Sequence, residues 1–217
     1  MTRLAERIRP AQGRPEGALV LLHGRGTDEH DLSALIEVLD PEQRLVGVTP
    51  RAPVPSPGGG HHWYEVERVG YPDPASFTAA AEALGDWLDD LPARIDVPAE
   101  RIVLGGFSQG CVMAYATGLA ADREPPAALL ALVGFVPHVA GHALDLASVD
   151  RPPVAIAHGS RDPVIDVSFG RAARDELVAA GMDVTYRETP VEHTIDADWL
   201  PDLRRAIGLA LRPPARG

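Results

Sequence analysis

The chain has 217 residues, one cysteine and a net charge of -11, and 45% of its residues are hydrophobic. These values fit one domain over residues 1–217 with a sizeable core, and they exclude an intramolecular disulfide. An acidic chain without a basic stripe or tail is not expected to bind nucleic acid or an anionic membrane surface. Met1–Arg7 lacks an apolar run and no stretch approaches about 18 apolar residues, so we expect no signal peptide, no membrane helix and a cytoplasmic location.

Short apolar runs alternate with longer segments of helical spacing. Strands are predicted, in chain order, at residues 18–22, 45–48, 101–104, 128–136, 154–157 and 184–186. Helices are predicted at residues 31–39, 77–91, 109–121, 167–180 and 199–211. Strands that are apolar on both faces and are joined through helices predict an α/β fold, with a mostly parallel, doubly wound sheet and helices on both faces. Ligands of such sheets bind at the carboxyl ends of the strands.

Residues 51–73 are the longest segment without a predicted element. The segment is rich in proline and contains three consecutive glycines, Gly58 to Gly60. A loop of this length inside a compact domain is expected to be either functional or disordered. Beyond the last predicted helix, residues 213–217 are expected to fray.

The pentapeptide Gly106-Phe107-Ser108-Gln109-Gly110 follows the third predicted strand and opens the next helix. A G-x-S-x-G sequence in this context is the nucleophile elbow of α/β-hydrolases. The sharp turn forces the serine into a strained backbone conformation, and the two glycines leave space for the neighbouring strand and helix. The helix N-terminus offers N–H groups to a developing negative charge. A glycine-rich helix start with a serine cap is the alternative, but the context favours Ser108 as a nucleophile.

Chain order selects the partners of the serine. In this fold the order is serine, acid, histidine. Asp162 lies in the loop after the fifth predicted strand, and His193 is the only histidine beyond it. One ring nitrogen of His193 can take the serine proton while the other donates to a carboxylate. Asp166 is the rival acid, although it is better placed to cap the helix that starts near residue 167.

Acyl transfer also requires two preorganised N–H donors for the carbonyl oxygen. One expected donor is the backbone N–H of Gln109, which follows the nucleophile. The other is the N–H of Arg25, in a loop after the first predicted strand whose glycines, Gly24 and Gly26, let the backbone turn toward a substrate. A simple tight turn is the alternative interpretation of this loop.

Four motifs occur in a fixed order: Leu22-His23-Gly24-Arg25-Gly26-Thr27-Asp28-Glu29, Gly105-Gly106-Phe107-Ser108-Gln109-Gly110, His158-Gly159-Ser160-Arg161-Asp162-Pro163-Val164 and His193-Thr194-Ile195. Together they resemble the phospholipase/carboxylesterase family, which includes the acyl-protein thioesterases. The resemblance implies an α/β-hydrolase fold without a large cap domain. It also implies hydrolysis of carboxylic esters or thioesters by Ser108, Asp162 and His193, without a metal or organic cofactor.

The resemblance further implies that Trp63 and Tyr64 line the substrate cleft, and Val164 is expected to join them. A core position is the alternative for Trp63. The expected substrate is a small or medium acyl ester, because no cap insertion is visible that would build a deep tunnel. A thioesterase, a lysophospholipase and a non-catalytic binding protein of the same fold are the alternatives. A homodimer is expected only by analogy with the family.

Three residues depart from the family pattern. Cys111 stands where relatives carry a small residue, and it is expected to be buried and structural. Glu192 precedes His193 where relatives have glycine, so its carboxylate either raises the pKa of the base or faces solvent. Val133 replaces a serine often found at the end of the fourth strand.

Three histidines are the candidates for a metal site. His30, His61 and His62 match no zinc-binding pattern, and a complete serine triad needs no metal. His61 and His62 are therefore expected to form a solvated pair in the loop.

Overall fold

The protein is described here by a computed structural model that covers residues 4–148 and 151–212. The strands are β1 (Glu6–Arg9), β2 (Gly17–Leu22), β3 (Leu45–Pro50), β4 (Val54–Pro55), β5 (His61–His62), β6 (Val66–Arg68), β7 (Tyr71–Pro72), β8 (Ile102–Phe107), β9 (Ala128–Leu132), β10 (Val154–Gly159) and β11 (Val184–Thr189). The helices are α1 (Ser33–Leu39), α2 (Pro74–Ile95), α3 (Gln109–Gly118), α4 (Val167–Ala179) and α5 (Leu200–Ala210), with 3-10 turns at Ala99–Arg101 and Ala197–Trp199. Residues 213–217, which were expected to fray, lie outside the described part of the chain.

A seven-stranded sheet forms the centre of the molecule. Its strand order is β1-β3-β2-β8-β9-β10-β11. Only β1 runs antiparallel to its neighbour, and the other pairs are parallel. The chain therefore winds outward in both directions from β2 and β8, which confirms the predicted mostly parallel, doubly wound sheet.

Both faces of the sheet are covered, which explains why the central strands are apolar throughout. Alternate residues of a strand point to opposite faces. In β2, Val20 belongs to the core cluster formed with α2, α3 and α4, whereas Leu19 and Leu21 belong to the cluster formed with α1 and α5. The prediction of helices on both faces is confirmed, and no large cap covers the described residues.

Several predicted element boundaries were wrong. The strand expected over residues 128–136 ends at Leu132, because Val133 adopts a left-handed backbone conformation with a φ of 57°. The helix expected to reach residue 121 ends at Gly118, which packs closely on Leu129 of β9. Strand β1 was not predicted, because an edge strand with two arginines and a glutamate has little apolar signal.

The segment expected to be a structureless loop contains two short hairpins. Strands β4 and β5 form one, and β6 and β7 form the other. Both hairpins lie between β3 and α2, and α2 begins directly after Asp73, whose side chain accepts the N–H of Ser76. The segment is therefore ordered, and it borders the carboxyl end of the sheet.

Candidate active site

Ser108 occupies the turn between β8 and α3. Its backbone angles are φ 56° and ψ −119°, a conformation that residues with a side chain rarely adopt. A Cβ added at Gly106 would lie 2.3 Å from the backbone of Gly110, and one added at Gly110 would lie 2.0 Å from the carbonyl oxygen of Leu22. Only glycine fits at either position, so the predicted strained turn and the reason for its two glycines are confirmed.

Ser108, His193 and Asp162 form a continuous line of hydrogen-bonding groups. The Nε2 atom of His193 lies 3.1 Å from Ser108 Oγ, and its Nδ1 atom lies 2.7 Å from Asp162 Oδ2. Because the carboxylate can only accept, Nδ1 carries the proton and Nε2 is free to accept from the serine hydroxyl. The structure therefore brings together all three residues predicted for the triad.

The loop after β10 fixes the orientation of Asp162. Its Oδ1 atom accepts the backbone N–H groups of Val164 at 2.7 Å and Ile165 at 2.8 Å, and its side chain is fully buried. Asp166, the rival acid, instead caps α4 by accepting the N–H of Ser168 at 2.9 Å. The hydrogen bonds from Ser168 hold the pKa of the Asp166 carboxyl below its ordinary value. The two carboxylates thus have separate structural roles.

Two departures from the family pattern lie beside this line without joining it. Glu192 is exposed, and within the described residues its carboxylate forms no hydrogen bond or ion pair. Cys111 is fully buried, as predicted, and burial raises the pKa of its thiol. A Cβ added at Gly134 would lie 2.5 Å from the sulfur, so the thiol fills the space beneath the turn after β9. The ring of Phe107 packs against that of His193, with the ring centroids 4.9 Å apart.

The loop after β2 approaches Ser108 from the other side. It is held by the loop that leads into β5, because Gly26 donates its N–H to the carbonyl of His61 and His61 donates its own to the carbonyl of Thr27, both at 2.7 Å. Within the described residues, the N–H of Arg25 has no protein acceptor. Arg25, Gln109 and Ser108 border one cleft, so the two residues predicted to supply N–H donors line the same cleft as the nucleophile.

This cleft has a volume of about 390 Å³, within the usual range for small-molecule sites. Its polar lining residues include Arg25, Thr27 and Asp31, from the segment between β2 and α1. Most of the remaining wall is apolar and is formed by Tyr64, Val66, Val69, Tyr71, Pro72, Phe107, Phe135, Val164 and Ile165. The arrangement suits a ligand with an apolar chain and a polar group near Ser108.

Of the three residues expected to contact substrate, the structure brings two to the cleft. Tyr64 is almost fully buried in its wall, whereas Val164 is 51% exposed at the rim. Trp63 does not line the cleft. Its ring is fully buried and its indole N–H donates to the carbonyl oxygen of His23 at 2.8 Å. The family-based expectation for Trp63 is therefore replaced by a structural role behind the loop after β2.

The expectation for His61 and His62 was also wrong. His62 is buried, and its ring nitrogens contact Ser56 Oγ at 2.8 Å and Glu65 Oε1 at 3.0 Å, so the pair is ordered within β5. Residue spacing did not reveal the contact with Ser56, because it depends on a hairpin that the sequence pattern did not predict.

One cluster of side chains has ligand atoms close enough together for a metal site. Asp28, Glu29 and His30 bring ligand atoms within 4.8 Å of one another. However, Arg51 donates two hydrogen bonds to the Glu29 carboxylate, each 2.5 Å long, and this contact lowers the pKa of Glu29 to about 2. The cluster is accounted for by this ion pair.

Comparison with known sequences is consistent with this geometry. A profile of the phospholipase/carboxylesterase family matches residues 4–210. The chain belongs to this family. It is 28% identical over 219 residues to acyl-protein thioesterase 1 of Candida albicans, covering 91% of this chain and 94% of the relative. It is 29% identical over 182 residues to acyl-protein thioesterase 1 of Yarrowia lipolytica, covering 78% and 79%.

Solved structures give the same result. The crystal structure of esterase PE8 superposes with a TM-score of 0.83 at 32% identity, covering 94% of this chain and 97% of the other. A Bacillus cereus carboxylesterase superposes with a TM-score of 0.82 at 22% identity over 95% and 94%, which shows the shared fold alone. The predicted family, the α/β-hydrolase fold and the assignment to the serine hydrolases are confirmed.

No helix in the described residues is long and apolar enough to cross a membrane. The cytoplasmic location and the homodimer remain predictions.

Proposed function

We propose that this family member is a carboxylesterase that hydrolyses small to medium acyl esters through an acyl-enzyme on Ser108. The observation that carries the proposal is the hydrogen-bonded line from Ser108 through His193 to Asp162, which ends at a largely apolar cleft. Neither step of this chemistry requires a metal or an organic cofactor.

In the first half-reaction Ser108 Oγ attacks the carbonyl carbon of the ester while His193 Nε2 takes the hydroxyl proton. Asp162 stabilises the resulting imidazolium and keeps its ring oriented. The tetrahedral intermediate then loses the alcohol, which leaves with the proton from His193. In the second half-reaction His193 takes a proton from water, the hydroxide adds to the acyl carbon, and the carboxylic acid leaves as Ser108 regains its proton.

The N–H groups of Arg25 and Gln109 are the proposed donors to the oxyanion of both intermediates. Removal of one such donor typically lowers kcat by about 100-fold to 1,000-fold. The backbone bridge to His61 holds the Arg25 loop in place before substrate arrives. This preorganisation supports a catalytic function over passive ligand binding.

The cleft supports an acyl group of modest size. The acyl chain would contact Tyr64, Val164 and the other apolar residues that line the cleft. The leaving group would face the polar lining residues near Asp31. Thioester hydrolysis is the second candidate, because the relatives named above include acyl-protein thioesterases. Lysophospholipid hydrolysis would use the same residues.

The test is labelling by a fluorophosphonate probe together with hydrolysis of p-nitrophenyl esters and matched thioesters of two, four, eight and sixteen carbons. We expect stoichiometric labelling of Ser108. The cleft volume favours the highest kcat/KM for acyl chains of about four to eight carbons. Ser108→Ala should lose both labelling and hydrolysis, and Asp166→Asn serves as the matched control outside the cleft.

Three results would contradict parts of this proposal. A wild-type protein that neither labels nor hydrolyses any substrate would be a binding protein. Full activity in Ser108→Ala would mean that the nucleophile is elsewhere. A preference for thioesters by more than tenfold in kcat/KM would replace the esterase with a thioesterase.

A further inference from the structure

The side chain of Gln109 is buried and hydrogen-bonds to the segment after β5, and its backbone belongs to the proposed oxyanion hole. Its Oε1 atom accepts the backbone N–H of Trp63 at 3.0 Å, and its Nε2 atom donates to the carbonyl of Tyr64 at 2.9 Å. The carboxamide therefore binds the backbone of two consecutive residues, one through its N–H and the other through its carbonyl. A residue needed only for packing at a buried position would be apolar, because burying a carboxamide costs free energy unless it is hydrogen-bonded.

The segment that Gln109 holds in turn holds the loop that carries Arg25. The indole N–H of Trp63 donates to the carbonyl of His23 at 2.8 Å. Two residues earlier, His61 forms the backbone bridge to the same loop, and a Cβ added at Gly60 would lie 2.2 Å from the carbonyl oxygen of Gly26. The two loops are thus in direct backbone contact with no space between them.

The imidazole of His23 completes this connection. Its Nε2 atom accepts the N–H of Ala52 at 2.9 Å, so its Nδ1 atom carries the proton and donates to the carbonyl of Gly24 at 2.7 Å. Burial lowers the pKa of His23, which favours the neutral ring that this pattern requires. His23 therefore joins the start of the segment after β3 to the residue just before Arg25.

We propose that the carboxamide of Gln109 is a positioning group that fixes the two halves of the oxyanion hole relative to each other. The backbone N–H of Gln109 is one donor, and its side chain determines, through Trp63 and Tyr64, where the loop of Arg25 lies. One residue thus links both donors. The inference rests on the proposed function, since it concerns how the hole of that reaction is built.

The expected effect is on the transition state. Misplacement of a catalytic group by about 1 Å can lower the rate by about 100-fold. Gln109→Met keeps the length of the side chain but removes both hydrogen bonds. Gln109→Glu keeps the acceptor for Trp63 but places a carboxylate oxygen against the carbonyl of Tyr64. We expect kcat to fall about 10-fold to 100-fold in the first variant and further in the second, with KM changed less than threefold.

The experiment compares three variants with wild type, using the best p-nitrophenyl ester and a trifluoromethyl ketone of the same chain length. The ketone forms an adduct with Ser108 whose oxyanion occupies the hole, so its affinity should fall in parallel with kcat/KM. The matched control is Thr117→Val. It removes a buried hydrogen bond from Thr117 Oγ1 to the carbonyl of Met113, 2.9 Å long in the same helix, and lies away from the cleft.

The control should keep kcat and ketone affinity within twofold of wild type, and thermal unfolding shows whether each variant is folded at the assay temperature. The inference is overturned if the Gln109 variants lose stability but keep kcat and ketone affinity, or if KM alone rises. If wild type itself is inactive toward every ester and thioester, the proposed function has failed instead. Inactivity of wild type and selective loss in the variants are therefore separable results.

Discussion

The backbone of Ser108 provides a test that does not depend on any substrate. A residue held in a sparsely populated φ/ψ region costs about 1–3 kcal/mol, and Ser108 has a φ of 56° and a ψ of −119°. Ser108→Ala and Ser108→Gly both remove the hydroxyl and its 3.1 Å contact with His193. The difference between their free energies of unfolding therefore isolates the effect of the Cβ atom at this strained position.

Glycine relieves the strain, but it is more flexible in the unfolded chain. This flexibility offsets about 0.4–1 kcal/mol of the stability gained from the relieved strain. We therefore expect Ser108→Gly to be more stable than Ser108→Ala by about 0.5–2 kcal/mol in urea unfolding. For a chain of this size that difference raises Tm by roughly 1–8 °C. Ala172→Gly, on the exposed side of α4, should show the opposite sign and lose about 1 kcal/mol.

The reasoning is refuted if the alanine variant is as stable as the glycine variant or more so. That result would mean that the elbow stores no strain at Ser108. It would leave the hydrogen bond between His193 and Asp162 unaffected, because neither variant changes those residues.

Three further predictions concern the two carboxylates after β10, the ion pair of Glu29 and the buried thiol. Asp162→Asn should lower kcat by about 10,000-fold, because it disturbs the tautomer of His193. Asp166→Ala should keep kcat but lower the free energy of unfolding by about 1 kcal/mol, because it removes a helix cap. Ester assays measure the first effect and urea unfolding the second. Arg51→Met should lower the free energy of unfolding at pH 7, because it removes both hydrogen bonds to the Glu29 carboxylate. The pKa of Glu29 falls from an ordinary 4.5 to about 2 on folding, so this stabilisation is present above pH 4.5 and disappears toward pH 2. Stability curves of wild type and variant should therefore converge at low pH rather than stay parallel. Cys111 should react with a thiol reagent only in denaturant, because burial raises the pKa of its thiol; rapid native labelling would contradict its buried position.

The sequence was most informative where backbone geometry restricts residue type. At Gly106 and Gly110 a Cβ would meet backbone atoms at 2.3 Å and 2.0 Å, so the elbow is visible as a pattern of glycines around Ser108. The buried parallel strands were equally visible, because covering both faces makes them apolar runs. Chain order then selected His193, which the structure brings within hydrogen-bonding distance of Ser108.

The sequence was least informative where order comes from contacts between distant segments. Residues 51–73 have the composition of a loop, yet the segment is fixed by His23, Gln109 and the backbone of Gly26. Trp63 was misassigned for this reason. Its neighbour Tyr64 faces the cleft, and nothing in the sequence pattern shows which of two adjacent aromatic rings points inward.

The loop that carries the proposed acid is built on the same principle as the oxyanion loop. His158, fully buried at the end of β10, donates from Nε2 to the carbonyl of Ile165 at 2.9 Å, and the N–H of Ile165 donates to Asp162 Oδ1. Side chains on rigid elements thus hold loop backbones on both sides of Ser108. A backbone group can be held whatever side chain it carries, so Ile165 and Tyr64 have no recognisable signature, whereas the residues that hold them, His158 and Gln109, stand inside the motifs.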